Sequence, residues 1–256
     1  RIVLAAGILD WGLQIDNLDY FRGVYALYTG LKHDVLCPPV SALGSIAERA
    51  DELHAAILNK WPDDGEPLHL LAHSMGGLVS RSAIEHGMQH KSEWTSHLTH
   101  LFCLGSPHLG APLEKAVHIG TTMLNAFAVT QPLAAMIDDR SIGIQNLRHG
   151  KTAHHNADAN TPTRPLHSHF HFIGSSMGHG RKDLISQLVG DGLVMLDSAT
   201  AGHLADDVTE LEKVNHIQLL NHPQVYAAIA AKLAPAKSGK RIVTQDSSVP
   251  SASQHV

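Results

Sequence analysis

The stretch LLAHSMGGLVSRSA, residues 70–83, joins an apolar run to a segment of helical periodicity through a cluster of small residues. A strand, a tight turn and a helix in this order form the nucleophile elbow, whose pattern is Gly-x-Ser-x-Gly. Ser74 takes the serine position, whereas Ala72 stands where the pattern has its first glycine. The alternative is an ordinary strand–turn–helix with a casual serine. Because that position needs only a small side chain, we predict that Ala72 is tolerated and that Ser74 is a nucleophile.

Short, continuously apolar runs alternate with helical segments along the rest of the chain. The runs that we predict to be strands are residues 1–7, 33–39, 67–73, 100–106 and 169–175. Helices are predicted over 44–61, where Ser45 and Glu48 form a capping box, from Gly77 to near Gly87, and over 222–233. This alternation predicts an α/β fold, with a mostly parallel central sheet and helices on both faces.

The chain length of 256 residues and its hydrophobic content of 43% fit one large domain with a sizeable core. We assign residues 1–234 to a single domain, with a helical cap or lid insertion over about 107–150. An exposed loop is expected at 151–165, and a disordered or strand-adding tail at 235–256. Because the chain begins at Arg1, without Met or a signal peptide, it is expected to be a trimmed or processed form.

Charge and composition exclude several partners. The net charge is −5, and no basic patch interleaved with aromatic residues is present, so nucleic acid is not an expected partner. No apolar run reaches the roughly 18 residues that a membrane helix needs.

Cys103 is expected to be a buried thiol, and its pairing with Cys37 stays open.

The chain has 21 histidines, most of which are expected on the solvated surface. His167, His169 and His171 are predicted to share one face of a strand. No cysteine or carboxylate stands beside them at a helpful spacing, so we predict no metal site.

A serine needs a base and an orienting acid, which follow it along the chain in the order acid, then histidine. Asp191, between two glycines, is the preferred acid, and Asp197 is its rival. His216 is the preferred base, whereas His222, at a helix start, fits a capping role. Two other histidines are set aside as the base. The turn directs the side chain of His73 elsewhere, and His108 precedes the acid.

Together these segments resemble the α/β-hydrolase superfamily, in particular the bacterial triacylglycerol lipases and PGAP1-like esterases. The resemblance extends over about residues 2–233. Its segments are RIVLAAG (1–7), residues 18–36, AHSMGGLVSR (72–81), GSPHLGAP (105–112), RSIGIQNLRHG (140–150), GDGLVMLDSA (190–199) and NHIQLLNHPQVY (215–226).

The resemblance implies an α/β-hydrolase fold and a serine carboxylic-ester hydrolase that works through an acyl-enzyme without a cofactor. Ser74, Asp191 and His216 would form the catalytic triad. The backbone amides of Met75 and Ile8 would form the oxyanion hole. The chain departs from the family in one place, because Ala6-Gly7 replaces the usual His-Gly of the oxyanion loop.

The expected substrate is a small-molecule acyl ester or a lipid, with transient contact to a lipid interface. Apolar side chains expected to line the site, unless they only fill the core, are Leu9, Trp11, Met123, Leu124 and Phe127. The alternatives are another acyl hydrolase with the same triad (a thioesterase, an amidase or a lipid deacylase) and a non-catalytic binding protein. The resemblance implies secretion, with a cytoplasmic location as the alternative.

Overall fold

The computed structural model describes residues 1–5, 22–38, 45–61, 65–110, 164–179 and 190–233. Within these ranges the chain forms a six-stranded parallel sheet with the strand order β2-β1-β3-β4-β5-β6. The strands are β1 (Ile2–Ala5), β2 (Val35–Leu36), β3 (Leu68–His73), β4 (Leu98–Leu104), β5 (His169–Ser176) and β6 (Asp207–Glu212). The helices are α1 (Arg22–Gly30), α2 (Ile46–Lys60), α3 (Gly76–Gln89), α4 (Trp94–His97), α5 (Leu196–Thr200) and α6 (Pro223–Leu233), with a 3-10 turn at Gln218–Asn221.

The central strands are buried on both faces, which explains their continuously apolar sequences. Leu70 in β3, Leu101 in β4 and Phe172 in β5 are all fully buried. The five strands predicted from these runs are present in the structure. The sixth strand, β6, carries the charged sequence DVTELE at one edge of the described sheet, and it has no apolar run that would reveal it.

The strand order reverses at β1, which lies between β2 and β3. Right-handed crossovers therefore place the helix that follows β1 and the helix that follows β2 on opposite faces of the sheet. On one face α2 packs against α3, and α3 in turn contacts β1, β3 and β4. On the other face α1 packs against the 3-10 turn. The carboxyl ends of all six parallel strands consequently meet at one edge, where the loops after β3, β4, β5 and β6 converge.

Local capping and packing set the limits of two predicted helices. The Ser45 hydroxyl accepts a hydrogen bond from the Glu48 amide, while the Ser45 amide donates to the Glu48 carboxylate at 2.7 Å. The predicted capping box is therefore confirmed. The helix α3 continues past Gly87 to Gln89. A Cβ at Gly87 would lie 2.6 Å from Thr95 Cγ2, so this glycine permits a close approach of α4 and does not end the helix.

The buried thiol expected at Cys103 is confirmed, and several histidines are buried as well. Cys37 and Cys103 do not form a disulfide, and burial raises the pKa of Cys103 to about 12. His54, His108 and His171 are buried, unlike the solvated position expected for most of the histidines.

The predicted histidine face is also incomplete, because His167 lies in the turn before β5 and only His169 and His171 lie on the strand. Among the residues that the structure describes, no group of three or more His, Cys, Asp or Glu side chains could hold a metal ion. Nor is any helix in those ranges long and apolar enough to span a bilayer. Most of the proposed insertion, the 151–163 part of the loop and the tail lie outside the described residues.

Candidate active site

Ser74 occupies a strained turn between β3 and α3. Its φ is +55°, a region that residues with a side chain rarely adopt and that is often found at functional sites. The Ser74 amide donates to the carbonyl of Leu104 at the end of β4, at 2.9 Å. The Ser74 side chain is buried, and its Oγ has no hydrogen-bond partner among the described residues. The local geometry is therefore that of a nucleophile elbow.

The position that must lack a side chain is Gly77, whereas position 72 has room for a methyl group. Ala72 is fully buried in β3, where it pairs with Ala5 of β1 and Cys103 of β4. Its methyl group is thus accommodated inside the sheet. A Cβ at Gly77 would lie 2.6 Å from Cβ of Ser106, closer than real contacts allow. The helix α3 can approach the end of β4 only because residue 77 is glycine.

Asp191 and His216 form a buried, hydrogen-bonded pair. The Nδ1 atom of His216 lies 2.7 Å from Oδ2 of Asp191, and the His216 amide donates to the Asp191 carbonyl at 3.0 Å. The other carboxylate oxygen, Oδ1, accepts hydrogen bonds from the amides of Leu193 and Val194 at 3.0 and 2.7 Å. Because Nδ1–H donates to the carboxylate, the neutral ring carries its lone pair on Nε2. That atom is buried and has no partner in the described part of the chain.

The rival residues lie elsewhere. Asp197 is exposed in the first turn of α5. The Nδ1 atom of His222 accepts a hydrogen bond from the Gln224 amide at the start of α6, at 3.3 Å, which is a capping contact. The structure therefore brings Asp191 together with His216, and it gives neither rival a place in that pair.

The imidazole of His216 lies against residues on both sides of the elbow. A Cβ at Gly105, whose φ is +56°, would lie 3.0 Å from both Cε1 and Nδ1 of His216. The rings of His73 and His216 have centroids 4.6 Å apart. Ser74 directly follows His73, and its amide bonds to the residue before Gly105. The His216 imidazole thus lies over the ends of β3 and β4, next to the elbow that carries Ser74.

His73 contacts His216, although the sequence only excluded His73 as the base. Its Nε2 lies 3.0 Å from the backbone oxygen of His216, so Nε2–H donates to that carbonyl. Burial lowers the pKa of His73 well below its usual value, and the neighbouring His216 lowers it further. The hydrogen bond to the His216 carbonyl opposes both effects. The sequence signal was a polar side chain at the end of a fully apolar strand, LHLLAH.

The predicted oxyanion and substrate residues are only partly within the described chain. Met75 is buried at the N-terminal end of α3, where the helix dipole favours negative charge. Its amide donates to no other residue that the structure describes. Ala6 and the predicted residues Ile8, Leu9, Trp11, Met123, Leu124 and Phe127 lie outside the described residues.

A sequence model of the PGAP1-like alpha/beta domain family matches residues 45–177, which is just over half of the chain. The chain belongs to this family. The matched range contains the elbow and the His216-contacting Gly105, and it ends before Asp191 and His216. No curated protein sequence matches the chain.

Solved structures of similar fold include hydrolases of several kinds. The mature lipase of Bacillus licheniformis has a TM-score of 0.62 at 17% identity, with 91% of each chain covered. A metagenomic carboxyl esterase has a TM-score of 0.56 at 14% identity, covering 91% of this chain and 75% of its own. A thioesterase of the prodiginine biosynthetic pathway in Streptomyces coelicolor has a TM-score of 0.54 at 16% identity, covering 91% and 88%. At these identities the likeness shows the α/β-hydrolase fold, as the sequence predicted.

Proposed function

We propose that the chain is a serine carboxylic-ester hydrolase, of the lipase or esterase type, with Ser74, His216 and Asp191 as its catalytic triad. The observation that carries the proposal is the buried Asp191–His216 hydrogen bond of 2.7 Å, placed beside the strained elbow of Ser74. The esterase, lipase and thioesterase structures of similar fold support the assignment to hydrolases.

In the proposed reaction, Ser74 Oγ attacks the carbonyl carbon of the ester while Nε2 of His216 takes the hydroxyl proton. The carboxylate of Asp191 orients the ring and stabilises the imidazolium. The amides of Met75 and Ile8 hold the oxyanion, and one such donor typically contributes roughly 3–4 kcal/mol to transition-state stabilisation. The C–O bond to the alcohol then breaks, and His216 returns its proton to the leaving oxygen. Water, activated by the same base, cleaves the acyl-enzyme and releases the acid.

The energetic cost of this arrangement favours catalysis over a purely structural role. A carboxylate at 1% exposure and a serine at positive φ both destabilise the folded state unless other contacts offset them. The buried Oγ of Ser74 and Nε2 of His216 are also without partners among the described residues. These are the two atoms between which the proposed mechanism transfers a proton, so the unsatisfied pair supports the serine mechanism.

The same triad would serve other acyl groups and other leaving groups. We propose small-molecule acyl esters of medium or long chain as substrates, with Leu9, Trp11, Met123, Leu124 and Phe127 as the lining and residues 107–150 as a cap. If these residues close over the site, turnover should rise when the ester is presented as an emulsion. A matched pair of esters and thioesters of rising chain length tests the acyl class and the leaving group together.

Ser74→Ala tests the nucleophile. Its matched control is Ser80→Ala, which also removes the hydroxyl of a buried serine. Ser74→Ala should lower kcat for a p-nitrophenyl ester by roughly 10⁴-fold or more and abolish labelling by a fluorophosphonate. Ser80→Ala should keep both. Substantial turnover by folded Ser74→Ala protein would refute the serine mechanism, and a wild-type chain that is not labelled would favour a binding protein.

The base is tested by His216→Ala against His222→Ala in the same assay. Removal of His216 should lower kcat to a similar extent as removal of Ser74, because the two act as a unit. Loss of the His222 cap should reduce stability by about 1 kcal/mol and leave kcat unchanged. An inactive His222 variant beside an active His216 variant would reverse the assignment.

A further inference from the structure

The loop that carries His216 is held to two different parts of the fold. On the side of the acid, the His216 amide and its ring nitrogen Nδ1 both bond to Asp191. The Val214 amide donates to Ser176 O at the end of β5, at 3.1 Å. These contacts fix the base to its acid and to β5, but they do not fix it to the nucleophile.

His73 supplies the contact to the nucleophile strand. Its Nε2–H donates to the carbonyl of His216 at 3.0 Å, and its ring packs on the His216 ring with centroids 4.6 Å apart. Among the described residues, this is the hydrogen bond that joins residues 213–217 to β3 and its elbow. Since His73 is covalently bonded to Ser74, any shift of the base away from the serine must stretch this hydrogen bond.

We propose that His73 is a positioning residue, which sets the distance between His216 and Ser74 by binding the His216 carbonyl. This inference rests on the proposed function, because it concerns the base of that triad. A leucine of similar volume would pack in the apolar strand at a lower desolvation cost than imidazole. The choice of histidine is explained by its donor, which an apolar side chain lacks.

The charge state of His73 fits this role. Burial keeps its imidazole neutral, so Nε2 carries one proton for the carbonyl and the ring brings no positive charge next to His216. This matters during turnover, when His216 itself becomes an imidazolium. A cation at residue 73 would oppose that charge at close range, whereas a neutral ring does not.

The test compares His73→Leu, which removes the donor, with His73→Gln, whose side-chain amide places an N–H near the position of Nε2. A third variant, His73→Asn, keeps a polar side chain that stops short of the carbonyl. The matched control is His54→Leu, a buried histidine on α2 that accepts a hydrogen bond from the Trp94 indole. The Trp94 indole lies near the C-terminal end of α3. At a rise of about 1.5 Å per residue, that end is roughly 15 Å along the helix from the elbow.

Two readouts are measured. The first is kcat and KM for a p-nitrophenyl ester, at a temperature where every variant is folded. The second is the far-downfield proton resonance of the His216 Nδ1–H bonded to Asp191, assigned by its loss in Asp191→Asn. We expect His73→Leu and His73→Asn to lower kcat by about 10- to 100-fold with little change in KM, as a base displaced by up to about 1 Å would. The resonance should broaden in both, and His73→Gln should restore the resonance and most of kcat.

The His54→Leu control should lose stability and keep the resonance and kcat. Unchanged kcat and an unchanged resonance in His73→Leu and His73→Asn would overturn the inference, as would a His73→Gln variant no better than His73→Leu. A wild-type chain without ester turnover would refute only the proposed function, because the resonance still reports whether His73 holds His216. The two failures are therefore distinguishable.

Discussion

Gly105→Ala should weaken catalysis although it replaces no residue that takes part in the proposed reaction. The residue has φ of +56°, and a Cβ there would lie 3.0 Å from Cε1 and Nδ1 of His216 and from Cδ1 of Leu219. Alanine in this backbone conformation costs about 1–2 kcal/mol, and overpacking of a buried site typically adds about 1–3 kcal/mol. The imidazole must move by a few tenths of an ångström. Since a 1 Å misplacement can cost about 100-fold in rate, we expect kcat to fall by roughly threefold to tenfold.

Gly65→Ala is the matched control for this prediction. Gly65 also has positive φ, +75°, but a Cβ there would meet nothing within 4 Å. Both variants should therefore unfold at lower denaturant concentration, with the larger loss in Gly105→Ala. Only Gly105→Ala should lose kcat in an ester assay run well below the unfolding transition. Equal kcat in the two variants would refute the argument that Gly105 leaves room for the base.

Two further predictions concern stability. Ala72→Gly restores the Gly-x-Ser-x-Gly pattern. It should lower the free energy of unfolding by about 0.5–1 kcal/mol and leave kcat unchanged in the same assay. A marked rise in kcat would show that the methyl group impairs the elbow. Burial lowers the pKa of His69 to about 3 and that of His100 to about 4, below the unfolded value near 6.5. The unfolded chain therefore binds more protons between about pH 6.5 and 4, and each histidine lowers the free energy of unfolding by up to about 1.4 kcal/mol per pH unit as the pH falls. His100→Asn should reduce the dependence of the free energy of unfolding on pH, measured by denaturation at a series of pH values. An unchanged dependence would contradict a lowered pKa for His100.

Sequence periodicity was sufficient for the buried part of the fold. A strand covered on both faces must be apolar throughout, so β3, β4 and β5 were evident from residues such as Leu70, Leu101 and Phe172. The edge strand β6 was missed because one of its sides faces no further strand of the described sheet. Its residues Asp207, Glu210 and Glu212 are typical of a protected edge and hide the strand from a search for apolar runs.

The candidate site was predictable where chemistry dictates residue type and chain order. A serine on a tight turn, a later carboxylate and a still later histidine led to Ser74, Asp191 and His216, and the last two form the observed pair. The triad itself stays a prediction until the variants are assayed. The contact of His73 with the His216 carbonyl could not be predicted, because it joins residues 143 positions apart and leaves no local pattern.

The position of β6 at the sheet edge determines how the proposed activity would be lost on heating. Of the described strands β6 pairs only with β5, yet the loop that leaves it carries His216, the proposed base, whereas Ser74 follows the central strand β3. Edge segments open locally at a lower free energy than the core, as amide hydrogen exchange reveals. The residues of the proposed triad thus belong to regions of unequal local stability. Catalytic competence would then end with fraying of one border of the domain, while the interior is still intact.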